Sequence, residues 1–263
     1  PSEKVGARAN VIEGLCEYDW SETKPCFRMN GVETQWWYDD VIEVVGAAGQ
    51  YLDTIMVPMC HDASYVGTVD DLLTQVEVNE GLPEGGIGLQ CQIESASGMT
   101  NAPEIARASD RIESLVFGPG DYTASVGAAG LTIGSGEGYP GHYWHYQLAR
   151  LAHAAKAEGL QVIDGPFADI EDTAGFRDSC RHASLLGCDG KWAIHPSQIE
   201  PANEGFAPSP DEAERARRIV DEYAAAMEAG KGAVSVDGQM VDEATNKMAR
   251  RIVARAEQAG VLR

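Results

Sequence analysis

The fold of this chain is decided by the stretch Ile87–Glu94, which reads IGLQCQIE and has the length and apolar character of a buried strand. Five similar runs lie on either side of it, at Pro25–Asn30, Asp53–Pro58, Ser114–Gly118, Gln161–Asp164 and Lys191–Ile194. Segments rich in Ala, Leu and Glu separate the runs and are long enough for crossover helices. Strands that alternate with helices predict a parallel sheet, and a chain of 263 residues favours an α/β fold of the TIM (β/α)8 barrel type.

A barrel of this type needs eight strands, whereas the sequence offers six. The chain opens with Pro1–Ser2–Glu3–Lys4, which leads directly into a helical pattern. We therefore expect the first two barrel strands to be missing from the chain. Active sites of such barrels lie at the C-terminal ends of the strands, so part of the site is expected to be missing with them.

The charge of the chain is strongly negative, with 41 acidic and 20 basic residues and a net charge of −21. Such a surface repels nucleic acid and anionic membranes, so neither is expected as a partner. An acidic face for a protein partner is one explanation. Adaptation to a cytoplasm of very high salt, where self-repulsion is screened, is the other. We favour this halophilic interpretation because the carboxylates are scattered along the whole chain.

The cysteines and the apolar runs indicate a cytoplasmic location. The six cysteines show no C-x-x-C spacing, which fits a reducing compartment better than a disulfide framework. No apolar run approaches the roughly 20 residues of a membrane span, and no signal peptide is visible.

A second, smaller domain is expected after the barrel. The segment Ile199–Pro210 carries three prolines and interrupts the pattern, so we divide the chain into a barrel at 1–204 and a C-terminal lid domain at 205–263. The elements predicted in or after this boundary are a helix at Asp211–Ala229, a hairpin of Ala233–Val236 and Gln239–Val241 with a D-G turn at Asp237–Gly238, and a helix at Asp242–Gln258. Because this domain is too small for a sound core of its own, it should pack on the barrel or on a neighbouring subunit.

Two carboxylates follow neighbouring predicted strands. Glu94 ends the run IGLQCQIE, and Asp121 follows the next strand in Gly118–Pro119–Gly120–Asp121. Neighbouring strands lie about 4.8 Å apart, so these two side chains can share one hard cation such as Mg²⁺. The alternative is that Glu94 caps a helix and Asp121 starts a turn.

Two further charged residues lie in or at the end of predicted strands. Arg28 is a cation in an otherwise apolar run, so we expect it to point into the barrel mouth and to meet a carboxylate; a purely structural ion pair is the alternative. Asp164 ends another strand and either supports the site, orients a loop or forms a turn before Gly165–Pro166. The pair His142 and His145 is interpreted as packing or capping, and the glycine-rich Gly134–Gly138 is not interpreted as a nucleotide site.

Six motifs occur in the order typical of one enzyme family. They are FRMN at 27–30, QIESASG at 92–98, VFGPGDY at 116–122, VIDGP at 162–166, GKWAIHPSQI at 190–199 and GAVSVDGQMVDEA at 232–244. The chain thereby resembles the HpcH/HpaI aldolase or citrate lyase β-subunit-like family, most of all its malyl-CoA and β-methylmalyl-CoA lyases. The family also has a strand before the position of Pro1, which agrees with the strand count above.

The resemblance implies a role for each matching residue. Glu94 and Asp121 match the ligands of Mg²⁺, with Mn²⁺ as an alternative ion, and Arg28 matches the arginine that binds the keto acid and the enolate oxygen. The backbone at Gly120 and Asp121 is expected to hold the glyoxylate carboxylate. Two further matches are a stretch that contacts coenzyme A, at Ile194 and His195, and an acid/base carboxylate, at Asp237. The family forms trimers or dimers of trimers, so Asp237 is expected to act on the barrel of a neighbouring subunit.

The implied reaction is the reversible cleavage of malyl-CoA or β-methylmalyl-CoA to glyoxylate and acetyl-CoA or propionyl-CoA. Malate synthase, malyl-CoA thioesterase, and citramalyl-CoA or citryl-CoA lyase share the implied metal site and remain open. A non-catalytic scaffold with an acidic binding face is the hypothesis of a different class. It gives no reason for carboxylates at two strand ends or for an arginine in a third strand.

Overall fold

A computed structural model describes residues 3–128, 143–230 and 232–262 of the chain. The chain divides into two compact units, Pro1–Ile199 and Glu200–Arg263. None of the helices in the described residues is both long and apolar enough to cross a bilayer.

The first unit is built on a parallel sheet of six strands in the order β1-β2-β3-β4-β5-β6. The strands are β1 Cys26–Arg28, β2 Thr54–Val57, β3 Gly88–Ile93, β4 Ile112–Phe117, β5 Gln161–Asp164 and β6 Gly190–Lys191. Each pairs in parallel with the strand that follows it in sequence. The predicted parallel α/β sheet is confirmed at all six positions.

Helices connect the strands. They are α1 Lys4–Glu17, α2 Trp37–Ala48, α3 Ala63–Glu80, α4 Ala96–Thr100, α5 Ala102–Ile105, α6 Pro119–Val126, α7 His145–Ala157 and α8 Thr173–Leu185, with short 3₁₀ turns at Gly49–Tyr51 and Pro196–Gln198. Buried residues of β3 and β4 such as Leu89, Ile93, Leu115 and Phe117 form the core together with apolar side chains of the helices.

The sheet is curled, as a contact between its two outer strands demonstrates. The guanidinium of Arg28, at the end of β1, lies 5.6 Å from the ring centroid of Trp192, which directly follows β6. In a flat sheet, strand spacing alone would put the first and sixth strands about 24 Å apart, beyond the reach of two side chains. The six strands therefore form a parallel half-barrel consistent with a TIM-like barrel.

A buried ionic network ties α3 to the strands. Arg111, just before β4, donates from Nη2 to Glu77 Oε2 at 2.6 Å and from Nη1 to the Ile87 carbonyl at 3.0 Å. Glu77 is completely buried, and its carboxylate also accepts the N–H groups of Gly85 and Ile87. All of these contacts lie near the N-terminal ends of β3 and β4, so the network is structural.

Replacing Arg111 with Met is expected to destabilise the chain by about 3–5 kcal/mol, because it leaves the buried Glu77 without its counter-charge. The matched control is Arg181→Met, which breaks an exposed ion pair with Asp178 and should cost about 0–1 kcal/mol. Urea unfolding at fixed salt measures both. Equal losses in the two variants would contradict the structural role of the network.

The second unit contains the predicted hairpin. Its elements are α9 Ile199–Phe206, which begins one residue before the unit, α10 Pro210–Glu228, β7 Val234–Val236, β8 Gln239–Val241 and α11 Glu243–Gln258. Tyr223, Val236 and Val241 form its small apolar core. Asp237 and Gly238 both have positive φ, 49° and 78°, as the two central residues of a type I′ turn require.

The segment Ile199–Pro210, at which the sequence predicts the domain boundary, contains a helix. Despite the three prolines of this segment, Ile199–Phe206 is helical. Pro201 lies in the first turn, where a missing N–H removes no helical hydrogen bond. Pro210 in turn begins α10, and Ser209 caps that helix through a reciprocal pair of hydrogen bonds with Glu212.

Candidate metal and substrate site

Glu94 lies directly after β3 and is only 4% exposed. Its Oε1 accepts the backbone N–H of Met59 at 2.8 Å, and its Oε2 accepts Nε2 of Gln92 at 2.8 Å. Met59 has a φ of 52°, a conformation that is rare for a non-glycine residue and is typical of functional sites. The carboxylate is thus fixed from the loop after β2 and from its own strand.

Asp121 is brought to Glu94 by the turn after β4. Gly118 caps α6, Pro119 begins it, and Asp121 lies exposed in its first turn. A Cβ at position 118 would lie 2.4 Å from Cβ and 2.6 Å from Oε2 of Glu94, so only glycine fits there. The sequence-based expectation that the two carboxylates lie together at neighbouring strand ends agrees with this geometry.

The electrostatics of Glu94 reflect burial and its neighbours. Burial raises the pKa of Glu94 to about 7; the negative charge of Asp121 acts in the same direction. The Met59 N–H and the positive charge of Arg28 oppose that rise in the pKa. A buried carboxylate beside a second negative charge is a site that gains from a cation.

The raised pKa predicts a specific pH dependence for the metal-free chain. Because the pKa of Glu94 is about 7 in the folded state against an ordinary 4.5, the folded state binds more protons than the unfolded one. The contribution of Glu94 to stability is therefore fully present below pH 4.5 and is lost as the pH rises through about 7. We expect a fall on the order of 3 kcal/mol relative to a Glu94→Gln variant. Urea unfolding of the wild-type and Glu94→Gln proteins in chelator from pH 5 to 8 measures this fall in stability. Parallel pH profiles of the two proteins would refute the raised pKa of Glu94.

The environment of the Arg28 side chain differs in part from the one that the sequence predicts. Strand β1 alternates between exposed and buried residues, and Arg28 is exposed rather than enclosed in an apolar strand. Its guanidinium lies over the Trp192 ring, a cation–π contact, and its charge lowers the pKa of Glu94. Arg28 is thus within electrostatic reach of the carboxylate pair, while its side chain stays accessible to a ligand.

The loop after β6 presents Ile194 and His195. Both are exposed, Ile194 by 50%. The buried side chain of Gln198 fixes this loop, because its Oε1 accepts the Ile194 N–H at 2.9 Å and its Nε2 donates to the Phe167 carbonyl at 2.9 Å. An accessible apolar side chain on a fixed backbone is suited to ligand contact.

Asp237 lies in the second unit, at the tip of the β7–β8 hairpin. Its side chain is about half exposed, and its Oδ2 lies 3.3 Å from Nη2 of Arg218 on α10. An exposed ion pair of this kind contributes little stability, so Asp237 is available for another contact.

Asp164 forms a structural contact. Its Oδ2 accepts Nζ of Lys191 at 2.5 Å, and both side chains are at most 5% exposed. Lys191 also donates to the Gly165 carbonyl at 2.8 Å and faces the Phe176 ring. Asp164 therefore joins β5 to β6. His142 and Gly134–Gly138 lie outside the described residues.

Sequence reasoning missed three contributors to this region. The Met59 N–H and the Gln92 amide both hold Glu94, and His61 Nδ1 lies 2.7 Å from Oγ of Ser95, the residue after Glu94. Only Gln92 carries a recognisable signal, because it is a polar residue two positions before Glu94 and so on the same face of β3.

The donor set fits a hard divalent cation. Among the described residues no group of three or more His, Cys, Asp or Glu side chains converges, so the site offers the two carboxylates Glu94 and Asp121. Mg²⁺ is usually held by one or two carboxylates, with water and substrate filling the remaining positions. The neighbouring Gln92, whose Nε2 donates to Glu94 Oε2, also carries a buried Oε1 with no hydrogen-bond partner in the described residues.

Comparison with known proteins identifies the class. The family model described as HpcH/HpaI aldolase/citrate lyase matches residues 1–196. The chain belongs to this family, as the six motifs predicted. This membership makes it a lyase-class enzyme.

The relatives are similar over nearly the whole chain. The L-malyl-CoA/β-methylmalyl-CoA lyase of Cereibacter sphaeroides is 38% identical over 267 residues, which cover 98% of this chain and 84% of that protein. The malyl-CoA/β-methylmalyl-CoA/citramalyl-CoA lyase of Chloroflexus aurantiacus is 35% identical, over 95% of this chain and 75% of that protein. A solved structure of the Mycobacterium tuberculosis protein CitE, in complex with magnesium, acetoacetate and coenzyme A, superposes with a TM-score of 0.75 and 25% identity, over 97% of this chain and 85% of that one.

Proposed function

We propose that this chain is a Mg²⁺-dependent carbon–carbon lyase that reversibly cleaves malyl-CoA or β-methylmalyl-CoA to glyoxylate and acetyl-CoA or propionyl-CoA. The observation that carries the proposal is the buried Glu94 beside Asp121 at neighbouring strand ends, with Arg28 within electrostatic reach. The names of the two lyase relatives support the choice of substrate.

Glu94 and Asp121 are the residues that would hold Mg²⁺ or Mn²⁺. The ion, when bound, supplies positive charge that stabilises negative charge on substrate oxygens. The magnesium in the CitE complex supports this assignment. The pair Glu94 and Asp121 is otherwise poorly suited to the site, because two carboxylates next to each other repel.

The keto acid product is expected to bind between Arg28 and the start of α6. The N–H groups of Gly120 and Asp121 lie in the first turn of this helix, where no intrahelical acceptor is available. Such N–H groups and the helix dipole favour an anion, here the glyoxylate carboxylate. Arg28 would stabilise the oxygen on which charge develops as the carbon–carbon bond breaks.

Coenzyme A is proposed to run along the loop after β6, against Ile194 and His195. Their exposure and the fixed backbone of this loop support the proposal. The thioester would then lie at the same end of the sheet as Glu94, because all six strands are parallel.

Asp237 is proposed as the acid/base residue. In the cleavage direction, a base takes the hydroxyl proton of malyl-CoA, the carbon–carbon bond breaks, and glyoxylate leaves. Asp237 then protonates the thioester enolate, and in the reverse direction it removes the α-proton of acetyl-CoA or propionyl-CoA. Exclusion of water from the closed site would increase its basicity.

We further propose that Asp237 reaches a neighbouring subunit in a homotrimer or dimer of trimers, with residues 205–263 acting as a lid. Two additional strands between β6 and β1 would complete the barrel. The curl of the sheet supports that closure, since it brings the side chain of Arg28 at the end of β1 within contact of Trp192 just after β6.

Related reactions would use the same residues. Citramalyl-CoA cleavage is favoured as a second candidate by the name of the Chloroflexus aurantiacus relative. The citryl-CoA lyase reaction differs from citramalyl-CoA cleavage in the keto acid that is released. Malate synthase and malyl-CoA thioesterase add hydrolysis of the thioester. Acetyl-derived and propionyl-derived substrates differ by one methyl group, worth about 1–3 kcal/mol in a pocket.

The test is a cleavage assay with malyl-CoA, β-methylmalyl-CoA and citramalyl-CoA, with Mg²⁺ and with excess chelator, in which the keto acid and free coenzyme A are followed separately. The proposal expects Mg²⁺-dependent glyoxylate and an intact acyl-CoA product. Free coenzyme A would indicate a synthase or thioesterase instead. Full activity in chelator would exclude the metal assignment.

A further inference from the structure

Gln92 is a buried polar residue that has no part in the reaction steps proposed above. It lies in β3, is 3% exposed, and precedes Glu94 by two positions, so both side chains project from the same face of the sheet. Its Nε2 donates to Oε2 of Glu94 at 2.8 Å.

The orientation of the Gln92 amide follows from this contact. With a cation bound, Glu94 is an ionised carboxylate that only accepts hydrogen bonds, so the NH₂ group faces Glu94 and the carbonyl Oε1 is left for another donor. That Oε1 is buried and has no hydrogen-bond partner among the described residues. Buried acceptors are nearly always paired in native proteins, so the free Oε1 requires an explanation.

Within the described part of the chain, the neighbours of Gln92 on β4 and at the start of α6 provide no side-chain donor for this oxygen. The residue that pairs with Gln92 on β4 is Val116, whose side chain is apolar. On the side of α6, Gly118 has no side chain, and a Cβ there would lie 3.1 Å from Nε2 of Gln92. The donor is therefore expected to arrive with the ligands of the site.

We propose that Gln92 is a positioning residue for the divalent cation. Its amide holds Glu94 in place through Oε2, and its Oε1 accepts a hydrogen bond from a water molecule carried by the ion. Mg²⁺ and Mn²⁺ keep several waters in sites with few protein ligands, so such a donor comes with the ion. Residues that hold ligands and bound water in this way usually change metal affinity 10–100-fold when replaced. This inference rests on the proposed metal site at Glu94 and Asp121.

The experiment compares Gln92→Met with Gln90→Met by Mn²⁺ titration of the purified chain without substrate. Gln90 is the matched control, because it lies two residues earlier on the same face of β3 and donates to Thr54 Oγ1 at 3.1 Å, away from Glu94. We expect Mn²⁺ to bind about 10–100-fold more weakly to Gln92→Met and within about twofold of wild type to Gln90→Met. Thermal unfolding in chelator verifies that both variants fold. If Gln92→Met does not fold, Gln92→Leu replaces it.

The outcomes separate this inference from the proposed function. Equal Mn²⁺ affinities in wild type and in both variants would overturn the role of Gln92 and leave the metal site in place. Equal weakening in both variants would also overturn it, since any polar residue of this face would then have the same effect. A wild-type chain that binds no Mn²⁺ would overturn both proposals together.

Discussion

Replacing Asp121 with Asn is expected to lower kcat/KM at least about 10³-fold and to abolish Mn²⁺ binding. The change keeps the size of the side chain and removes one of the two charges that would hold the ion. Asp121 is exposed in the first turn of α6, so the fold should be unaffected. Steady-state kinetics with malyl-CoA, together with Mn²⁺ titration, measure the two effects.

The matched control for this variant is Asp110→Asn. Asp110 is also exposed, but it precedes β4 and so lies at the opposite end of the strand that Asp121 follows. The Asp110→Asn substitution should leave the kinetic constants and the Mn²⁺ affinity unchanged. If Asp121→Asn retains Mg²⁺-dependent activity, Asp121 is not a metal ligand.

Replacing Asp237 with Asn is expected to lower kcat about 10²–10⁴-fold with little change in KM, because an amide cannot transfer the proton. The side chain is about half exposed, and its ion pair within the described part of the chain is the weak, exposed one with Arg218, so stability should be retained. Asp221→Asn, on the exposed face of α10, is the control in the same unit. Normal turnover of Asp237→Asn would eliminate it as the acid/base residue.

A mixture of Asp121→Asn and Asp237→Asn subunits tests where Asp237 acts. If each site combines Asp121 of one subunit with Asp237 of its neighbour, mixed oligomers contain some sites with both aspartates, and activity should return after subunit exchange. If both residues serve the site of their own chain, no mixture recovers activity. The same mixture, assayed before subunits have exchanged, gives the background activity.

The fold could be predicted to a large degree because its signals are local. Six short apolar runs separated by helical segments are enough to place the strands, although their ends shift. Of the predicted run Lys191–Ile194, only Lys191 lies in β6, and the Ile194 N–H bonds to the Gln198 side chain instead of the sheet. That contact depends on how the loop turns back, which strand propensity does not report.

The candidate site could be predicted where side chains carry the signal. Glu94 and Asp121 are candidates because carboxylates at adjacent strand ends suit a cation and because the motifs resemble those of a known family. The Met59 N–H could not be found, since a backbone donor has no sequence signature. Asp164 had the same strand-end position as Glu94, and only the ion pair with Lys191 distinguishes it.

The contact between Arg28 and Trp192 has a consequence for how the enzyme forms in the cell. The two residues are 164 positions apart, so they meet only after most of the chain has left the ribosome. Contacts between such distant segments slow folding, because a long loop must close before the contact stabilises it. The residues assigned to metal binding are thus synthesised well before the strand that brings Trp192 to Arg28. A nascent chain stopped before β6 would carry both carboxylates and still lack the loop at Ile194 and His195, against which coenzyme A is proposed to lie.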